Sequence, residues 1–521
     1  MEKKKTFKKT FDIGFDRPRR SKTENKKGSK SNFDKKKDFK KGNDNNKKFD
    51  KPKSFKKPND DKKKFDKPKS FKKPNDDKKK FDKPVETKPV EKVEKTEKTS
   101  NVRYYIYKCL YNIYINKAFS NIEIDHIIRE NKINELDAKL LTNIVYGTLS
   151  HDKILNWELK QLCQKAPKDQ AKIIILMSLY QLKYLDRIPD FAILNEAVSI
   201  AKKEGGEQMG KFVNAILRES LRQELKFTKE LAKDEYEYLS LTYNMPVWVI
   251  KMWEKHYGKA KTLSLLEYSN KEAPLSVRVN IHKSNKEEIL KNPDFVSGQL
   301  AKNALTYEGS TPIAQTEEMK KGLISVQDES SQYVVEVLDP QKNSKVLDMC
   351  AAPGSKTQYI CELMENTGKV LALDIHPHRV EIMKKYLASL NLTNVTCICY
   401  DSTKLHEKQK LVESFDKVLL DAPCLGLGVV RRKPDILLDL KDENLDEIVL
   451  IQQRLLDEAY LMLKEGGELV YSTCSINKKE NDSQVTAFLS KHKDMKRVFE
   501  KQLFPDEFNS DGFYIAKMVK E

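Results

Sequence analysis

The feature that most constrains the fold is a regular alternation of apolar and amphipathic segments towards the end of the chain. Helical patterns such as HRVEIMKKYLASL and QQRLLDEAYLMLKEG separate short apolar runs that are rich in β-branched residues. These runs lie at residues 345–351, 369–375, 395–401, 417–423 and 467–474. Apolar strands that alternate with helices indicate a mostly parallel sheet covered on both faces. Residues 316–521 are therefore predicted to form an α/β domain.

Two regions with different sequence patterns precede this domain. In NEAVSIAKKEGGEQMGKFVNAILRESLR, apolar residues recur at three- and four-residue steps on both sides of Gly205 and Gly206. This periodicity predicts an all-helical domain over residues 101–225, with a helix break at the two glycines. Residues 226–315 combine the aromatic-rich YNMPVWVIKMW with the strand-like PLSVRVN, which predicts a small α+β connecting subdomain.

The net charge of +19 comes entirely from the N-terminal segment. Residues 1–100 hold 38 Lys and Arg against 18 Asp and Glu, whereas the rest of the chain holds 59 against 60. The sequence KFDKPKSFKKPNDDKK at 48–63 recurs unchanged at 64–79. Such a Lys-rich, apolar-poor repeat predicts disorder. Its interleaved Phe and Lys residues suit contact with a nucleic-acid strand, and a solubilising tail accounts for them equally well.

The cysteine usage and hydropathy point to a cytoplasmic protein. No stretch approaches 18 consecutive apolar residues, and the N-terminus lacks the apolar core of a signal peptide. The eight cysteines form no CxxC pair. Cys397 and Cys399 share a face of one strand run, but no His or further Cys lies nearby to complete a metal site. Core packing is therefore expected for both, and no metal is predicted.

The first strand run leads into DMCAAPGSKTQYI, a loop that opens a helix. Backbone amides at a helix start favour electron-rich groups, and Gly354 allows a ligand to approach the chain. A phosphate-binding P-loop requires GxxxxGK[ST], but Ser355 separates Gly354 from Lys356, and Met349 stands where the first glycine is needed. The loop therefore favours a nucleoside cofactor that lies across the strand ends.

Three carboxylates support this interpretation. Asp374 ends the second strand run, twenty residues after Gly354, which is the separation expected for a carboxylate that binds ribose hydroxyls. Asp401 ends the third run and Asp421 nearly ends the fourth. A single acid after a strand often only caps the next helix, but three at successive strand ends favour a ligand site.

Two cysteines end the last two strand runs, Cys424 after KVLLDAP and Cys474 after GELVYST. Free cysteines are among the most buried residues, so each one alone indicates core packing. Spacing does not decide which of the two would attack a substrate.

The motifs VLDMCAAPGSKT, DAPCLGLGVVRRKPD and LVYSTCSINKKEN, in this order, resemble those of the RNA cytosine-5 methyltransferases. PDFAILNEAVSIAKK followed by GKFVNAILR resembles the NusB family of RNA-binding helical domains. Together they resemble the RsmB type, which methylates a cytosine of small-subunit (16S) ribosomal RNA. The resemblance implies a Rossmann-like methyltransferase domain, S-adenosyl-L-methionine as cofactor and ribosomal RNA as partner, with a monomer expected.

The resemblance also implies roles for individual residues. Asp374 would hold the ribose diol, Asp401 would lie by the adenine and Asp421 would line the site. Cys474 would be the nucleophile and Cys424 the cysteine that assists release, whereas in DNA cytosine-5 methyltransferases a Pro-Cys pair carries the nucleophile. The methionine and ribose portion of the cofactor would be cradled by Cys350, Ala351, Ala352, Pro353, Gly354, Ser355 and Lys356.

The chemistry explains why such an enzyme needs these groups. Carbon 5 of cytosine is a weak nucleophile until a thiolate adds to carbon 6, and a cysteine of lowered pKa suits that addition. Asp421 is the candidate acid that stabilises charge on the base as the thiol adds. The target base must be single-stranded or flipped out, because a stacked helix shields carbon 6.

Several features leave alternatives open. Leu425 adds bulk where the family usually has a small residue beside the cysteine. Arg431 and Arg432 suit phosphate contact, or pairing with acids of the following DLKDENLDE, and Gln327 with Asp328 is expected near the site. Other possible functions are methylation of tRNA or large-subunit rRNA, a DNA cytosine-5 enzyme, and a non-catalytic RNA-binding ribosome assembly factor.

Overall fold

The computed structural model describes residues 102–521. The Lys-rich segment for which disorder is predicted, residues 1–100, lies outside the described residues. The described part begins with helices, continues through a small antiparallel sheet and ends in a larger mixed sheet. The predicted order of an all-helical part before an α/β part is therefore confirmed. Each helix in residues 102–521 is too short or too polar to span a lipid bilayer.

Six helices make up the helical part, and their apolar faces share one core. They are α1 (Val102–Tyr114), α2 (Ser120–Glu130), α3 (Glu135–Ser150), α4 (Asp152–Leu162), α5 (Asp169–Tyr184) and α6 (Asp190–Gln223). Every residue of α5 from 173 to 181 is buried, so this helix runs through the centre of the core. A helix that is apolar on all sides must be surrounded by others, which explains the bundle.

The glycine pair divides α6, as the sequence predicts. Gly206 has φ 78° and ψ −177°, which is outside the helical region and is accessible to glycine at little cost. The two halves of α6 present separate apolar stretches, one around Ala197 and Ala201 and the other around Val213 and Leu217. All four residues are buried in the core of the helical part.

The connecting part contains four α-helices and a four-stranded antiparallel sheet. Its strand order is β2-β3-β1-β4. The elements are α7 (Glu235–Thr242), α8 (Val247–Ser269), β1 (Leu275–Val279), α9 (Lys286–Ile289), β2 (Phe295–Ser297), β3 (Ala304–Tyr307), α10 (Glu317–Lys320) and β4 (Ile324–Val326), with 3-10 helices at Lys229–Leu231 and Ile313–Gln315. The last strand of this sheet lies beyond residue 315, and the domain boundaries drawn from the sequence stay a prediction.

The larger sheet has seven strands in the order β10-β11-β9-β8-β5-β6-β7. Strands β5 to β9 are parallel neighbours, which confirms the mostly parallel sheet predicted from the apolar runs. Its elements are α11 (Glu329–Leu338), β5 (Lys345–Asp348), α12 (Ser355–Leu363), β6 (Lys369–Asp374), α13 (Pro377–Ser389), β7 (Val395–Cys399), β8 (Phe415–Asp421), α14 (Glu443–Met462), β9 (Leu463–Thr473), α15 (Asp482–Lys491), β10 (Met495–Leu503), α16 (Pro505–Phe508) and β11 (Phe513–Lys520), with 3-10 helices at Ser402–Glu407, Gln409–Leu411 and Pro434–Leu438.

Two C-terminal strands were not anticipated from the sequence. β11 lies between β9 and β10 and runs antiparallel to both. β10 is an edge strand, and most of its residues are exposed or half-buried. Such a strand needs no apolar run, so the pattern that identified the central strands is missing from it.

The cysteines of β7 are less buried than predicted. Cys397 is half-buried and packs against a small apolar cluster, whereas Cys399 is exposed. The expected core packing is therefore wrong for Cys399, because β7 is the other edge strand of the sheet. Residues 102–521 contain no group of three or more His, Cys, Asp and Glu side chains that could hold a metal ion.

A buried ion pair joins the small sheet to α12, a helix that packs on the large sheet. The guanidinium of Arg278, on β1, contacts the carboxylate of Glu362 on α12, and both side chains are almost fully buried. Arg278 Nε also donates to Gln327 Oε1 at 2.8 Å, and the guanidinium lies 4.2 Å from the centre of the Tyr359 ring. Gln358 Nε2 donates to Glu362 Oε1 at 2.6 Å. These contacts compensate two buried charges and hold α12 against β1.

Candidate active site

The carboxyl ends of the parallel strands bring the predicted site residues to one edge of the large sheet. The order of the strands fixes the order of the residues along that edge. From β9 to β7 the edge carries Cys474, then Asp421 with Cys424, then the loop at 349–354, then Asp374 and finally Asp401. The site therefore has a cysteine side, over β9 and β8, and a loop side, over β5, β6 and β7.

The loop after β5 is fixed by a contact to α13 and by a glycine. Arg379 Nη2 donates to the carbonyl oxygen of Ala352 at 2.6 Å. Gly354 has φ 107°, and a Cβ built on it would lie 2.8 Å from Cγ of Met383. A side chain at this position would therefore strain the backbone and collide with α13. Because α12 begins at Ser355, its unpaired amides lie directly beside the loop.

The two acids on the loop side have different environments. Asp374 is buried, accepts a hydrogen bond from the backbone N–H of His376 at 2.9 Å and lies 3.3 Å from Nη1 of Arg379. Asp401 accepts from both the backbone N–H and the hydroxyl of Thr403. This is the helix-capping arrangement that the sequence left open for such acids, and a position of Asp401 by the adenine stays a prediction.

A buried carboxylate under the loop fits the nucleoside cofactor predicted from the sequence. Asp348, the last residue of β5, accepts from the Thr357 hydroxyl at 2.7 Å through Oδ2. Its Oδ1 is buried and, within residues 102–521, has no hydrogen-bond partner. Burial raises the pKa of Asp348 to about 7. An unused acceptor beside a glycine loop and a helix start suits a ligand that carries amino and hydroxyl groups.

Lys356 connects the two sides of the site. Its ammonium group donates to Asp421 Oδ2 at 2.8 Å, and Asp421 Oδ1 accepts from the Ser472 hydroxyl at 2.8 Å. The side chain of Lys356 is 12% exposed and that of Asp421 is 26% exposed. Since Lys356 follows the loop and Ser472 lies on β9, the carboxylate of Asp421 is held from both directions.

The two cysteines are in direct contact, with 3.3 Å between their sulfur atoms. Both residues are half-buried. The segment after Cys424 returns to Cys474, because the Gly428 N–H donates to the Cys474 carbonyl oxygen at 3.0 Å. The Gly512 N–H donates to the Gly428 carbonyl oxygen at 2.8 Å, and a Cβ on Gly428 would lie 2.0 Å from the oxygen of Gly512. Three backbone segments therefore meet behind the sulfur pair.

The two thiols have different electrostatic surroundings. The hydrogen bond to Cys474, burial and the nearby carboxylate of Glu480 together raise the pKa of the Cys424 thiol well above its usual value. Burial alone would lower the pKa of Lys356, but attraction to Asp421 and to Cys474 outweighs it, so the pKa of Lys356 is raised. Cys474 thus has a cation as its neighbour, whereas Cys424 has an acid.

Glu480 connects the two cysteine segments and was not identified from the sequence. One carboxylate oxygen accepts from the backbone N–H of Leu425 at 2.8 Å, and the other accepts from the Ser475 hydroxyl at 2.6 Å. Gln452 donates to Glu480 and to the carbonyl oxygen of Pro423. In the sequence, Glu480 is recognisable only as an acid six residues after Cys474, within the motif LVYSTCSINKKEN.

The arginines after Cys424 have partners other than those considered from the sequence. Arg432 Nη2 donates to Asp328 at 2.8 Å, and its Nε donates to Asp511 at 2.8 Å. Arg431 donates to the side chain and the backbone carbonyl oxygen of Asn509. Pairing with acids of the following DLKDENLDE is therefore wrong, because the chain folds these arginines back onto α11 and the loop before β11. Asp328 lies in this ion-pair network.

The structure also shows where the side chains of Leu425 and Gln327 lie. The Leu425 side chain packs against the apolar cluster formed with α7 and α8, which accommodates its bulk. Gln327 is buried, and its side-chain oxygen accepts from Arg278 in the network that links the two sheets.

Models of three known families match successive parts of the chain. Residues 100–222 match the NusB family, and residues 245–292 match the ferredoxin-like domain of RsmF/B-like methyltransferases. Residues 335–519 match the 16S rRNA methyltransferase RsmB/F family. The two resemblances predicted from the sequence motifs are therefore confirmed.

Curated relatives and solved structures agree with these matches. A probable ribosomal RNA small subunit methyltransferase B of Bacillus subtilis is 36% identical and covers 81% of this chain and 100% of its own. Ribosomal RNA small subunit methyltransferase B of Proteus mirabilis is 33% identical over 75% of this chain and 92% of its own. The crystal structure of PH0851 superposes with a TM-score of 0.71 at 25% identity, covering 81% of this chain and 100% of that one.

Proposed function

The chain belongs to the RsmB/F family of 16S rRNA methyltransferases, and we propose that it methylates carbon 5 of a cytosine in 16S rRNA through a covalent cysteine adduct. It is an rRNA methyltransferase that uses S-adenosyl-L-methionine. Family membership supports rRNA methylation, whereas methylation at carbon 5 and the covalent adduct are our proposal. We also propose that it acts in the cytoplasm as a monomer.

The sulfur contact between Cys424 and Cys474 is the observation that carries the proposal. One thiol that attacks a ring carbon needs no second thiol, but a reaction that must also expel the first one benefits from a partner within reach. The two sulfurs lie 3.3 Å apart at the ends of adjacent strands. A pair of structural cysteines in a core would be fully buried, whereas these two are only half-buried, at the ligand edge of the sheet.

We assign the attack to Cys474 and the release to Cys424. The Lys356 ammonium near Cys474 stabilises a thiolate, which is the attacking form of cysteine. Glu480 near Cys424 disfavours a second negative charge and keeps that thiol protonated. The opposite assignment would place the nucleophilic anion next to a carboxylate.

The steps follow from this assignment. The Cys474 thiolate forms a bond to carbon 6, and the electron pair of the ring double bond becomes available at carbon 5. S-adenosylmethionine, when bound at the loop side, supplies an electrophilic methyl group to that carbon. Water then takes the proton from carbon 5, the ring double bond re-forms, and the bond from carbon 6 to sulfur breaks, with the Cys424 thiol donating a hydrogen bond to the departing Cys474 thiolate.

Asp421 is the carboxylate that we place against the base. Lys356 and Ser472 fix its orientation, so its oxygens need not reorganise to accept a hydrogen bond from the exocyclic amine of the base. Its side chain is 26% exposed, which leaves it accessible to a flipped-out base.

We propose the same division of labour along the chain as the sequence analysis. The helical part, residues 101–225, contacts RNA, and residues 226–315 connect it to residues 316–521, where the chemistry takes place. The tail at residues 1–100 either adds RNA affinity or keeps the protein soluble. Cys350 to Lys356, Asp374, Asp401 and Asp421 bind the cofactor in this proposal.

Tritium transfer from labelled S-adenosylmethionine tests the proposal. Purified protein is incubated in parallel with 16S rRNA, large-subunit rRNA, tRNA and DNA, with the Cys474→Ala variant as control. Label in 16S rRNA alone, absent with the variant, is the expected result, and bisulfite sequencing of rRNA from a strain lacking the gene then locates the cytosine. Label in tRNA or large-subunit rRNA would support the alternative substrate. No label in any arm would favour a non-catalytic assembly factor.

A further inference from the structure

The segment that begins at Cys424 ends on the helical part of the protein. We call residues 424–438 the release segment. Its last turn, Pro434–Leu438, contacts α3, and Leu438 packs against the apolar core of the helical part. One short segment therefore runs from the catalytic sulfur pair to a domain that family resemblance would assign only to RNA binding.

Asp435 makes the polar contact at this junction. Its Oδ1 accepts from the hydroxyl of Ser120 at 2.5 Å, and its Oδ2 accepts from the Ser120 N–H at 3.3 Å. Ser120 is fully buried and is the first residue of α2. A carboxylate at a helix start pairs with amides that have no partner within the helix and with the positive end of the helix dipole.

The other end of the release segment has equally little freedom. The Leu425 N–H is held by Glu480, and the Gly428 N–H is held by the Cys474 carbonyl oxygen. Between the two ends, Arg432 is anchored to Asp511 and Asp328. Because the segment is held by hydrogen bonds at several points and packs closely, a displacement of its backbone at one end is transmitted to the other.

We propose that the helical part positions Cys424 for the release step through the contact between Asp435 and Ser120. Asp435 is then a positioning residue, since it does not touch the base or the cofactor. The inference rests on the proposed function, because it assigns the release step to Cys424. It makes the helical part a participant in turnover as well as in RNA binding.

The test compares Asp435→Ala and Ser120→Ala with Asp439→Ala as a matched control. Asp439 pairs with Lys117 of the helical part at 2.7 Å, but both side chains are more than half exposed, and such pairs contribute little. Full-length variants are assayed for RNA affinity, single-turnover methyl transfer, multiple-turnover rate and the fraction of covalent RNA adduct on denaturing gels.

Asp435→Ala should lower the multiple-turnover rate about tenfold and raise the adduct fraction, with RNA affinity and single-turnover transfer changed by less than about twofold. Ser120→Ala should act in the same direction, and Asp439→Ala should match the wild type. In a Cys424→Ala background, Asp435→Ala should have no further effect on the adduct fraction, because both act on one step.

An unchanged adduct fraction in both Asp435→Ala and Ser120→Ala would overturn the inference, as would a loss of methyl transfer in proportion to a loss of folded protein. Reduced RNA affinity with normal release would assign the contact to substrate binding instead. A wild-type protein that labels no RNA would contradict the proposed function itself, which is a separate outcome.

Discussion

The ammonium group of Lys356 lies 2.8 Å from a carboxylate oxygen of Asp421, and this contact joins the loop side of the site to its cysteine side. Lys356 follows the loop after β5, and Asp421 ends β8 next to the strand of Cys474. A methyl donor on one side and a base on the other would therefore meet across a single fixed ion pair.

Replacing each cysteine in turn separates attack from release. Cys424→Ala should accumulate a covalent RNA adduct, because the attack by Cys474 proceeds and the release is slowed. Cys474→Ala should form none. Denaturing gels with labelled 16S rRNA provide the measurement. An adduct with Cys474→Ala but not with Cys424→Ala would reverse the two roles.

Lys356→Met should make Cys474 less reactive at neutral pH. The raised pKa of Lys356 keeps it positively charged throughout the neutral range, so Cys474 always has a cation as its neighbour. In a Cys424→Ala background, the rate of alkylation of Cys474 at pH 7 should fall when Lys356 is replaced. Lys464→Met is the control, because Lys464 pairs with Asp416 at the amino ends of β8 and β9, away from the site. An unchanged alkylation rate in the Lys356→Met variant would contradict the role of Lys356.

Asp348→Asn should flatten the pH dependence of stability. Burial raises the folded-state pKa of Asp348 from 3.8 to about 7, so between these values the folded chain binds a proton that the unfolded chain has lost. Stability then falls as the pH rises through this window, and Asn removes that contribution. Melting temperatures from pH 4 to 8, without cofactor, provide the measurement. Asp511, whose pKa burial also raises to about 7, leaves part of the slope in the variant.

Arg278→Met should lower the free energy of unfolding by about 3–5 kcal/mol, because it leaves Glu362 charged and buried without its partner. The double variant with Glu362→Leu should recover much of the loss, since it removes both charges. Lys291→Ala breaks an exposed pair with Glu288 and should change stability by less than about 1 kcal/mol. Urea unfolding measures all three. A loss in the double variant as large as in Arg278→Met would argue against the buried-charge explanation.

Deleting residues 1–100 should weaken RNA binding at low salt and reduce the salt dependence of the affinity, if the Lys-rich tail contacts phosphate. Single-turnover methyl transfer on bound RNA should be unchanged. Filter binding across a salt series measures the effect. Equal affinity for both proteins at low salt would leave the tail with a solubilising role.

Local patterns predicted the central strands and the acids and cysteines at their ends, because a parallel buried strand needs an apolar run and its ligand groups must follow it directly. The partners of these groups were not predictable in the same way. Arg432 pairs with acids 104 and 79 residues away along the chain, and no periodicity relates them. Glu480 was not predicted for the same reason, since its role depends on the segment after β8, which meets it only in the folded protein.

The crossing of Gly428 and Gly512 behind the sulfur pair limits how this enzyme can diversify. A Cβ at Gly428 would lie 2.0 Å from the Gly512 oxygen, so even alanine would separate the release segment from the chain that leads into β11. Leu425, three residues earlier, is directed into an apolar cluster and can change size with it. In a library built to alter substrate choice, randomising position 425 would be informative, whereas randomising 428 would mainly yield proteins with a disrupted site.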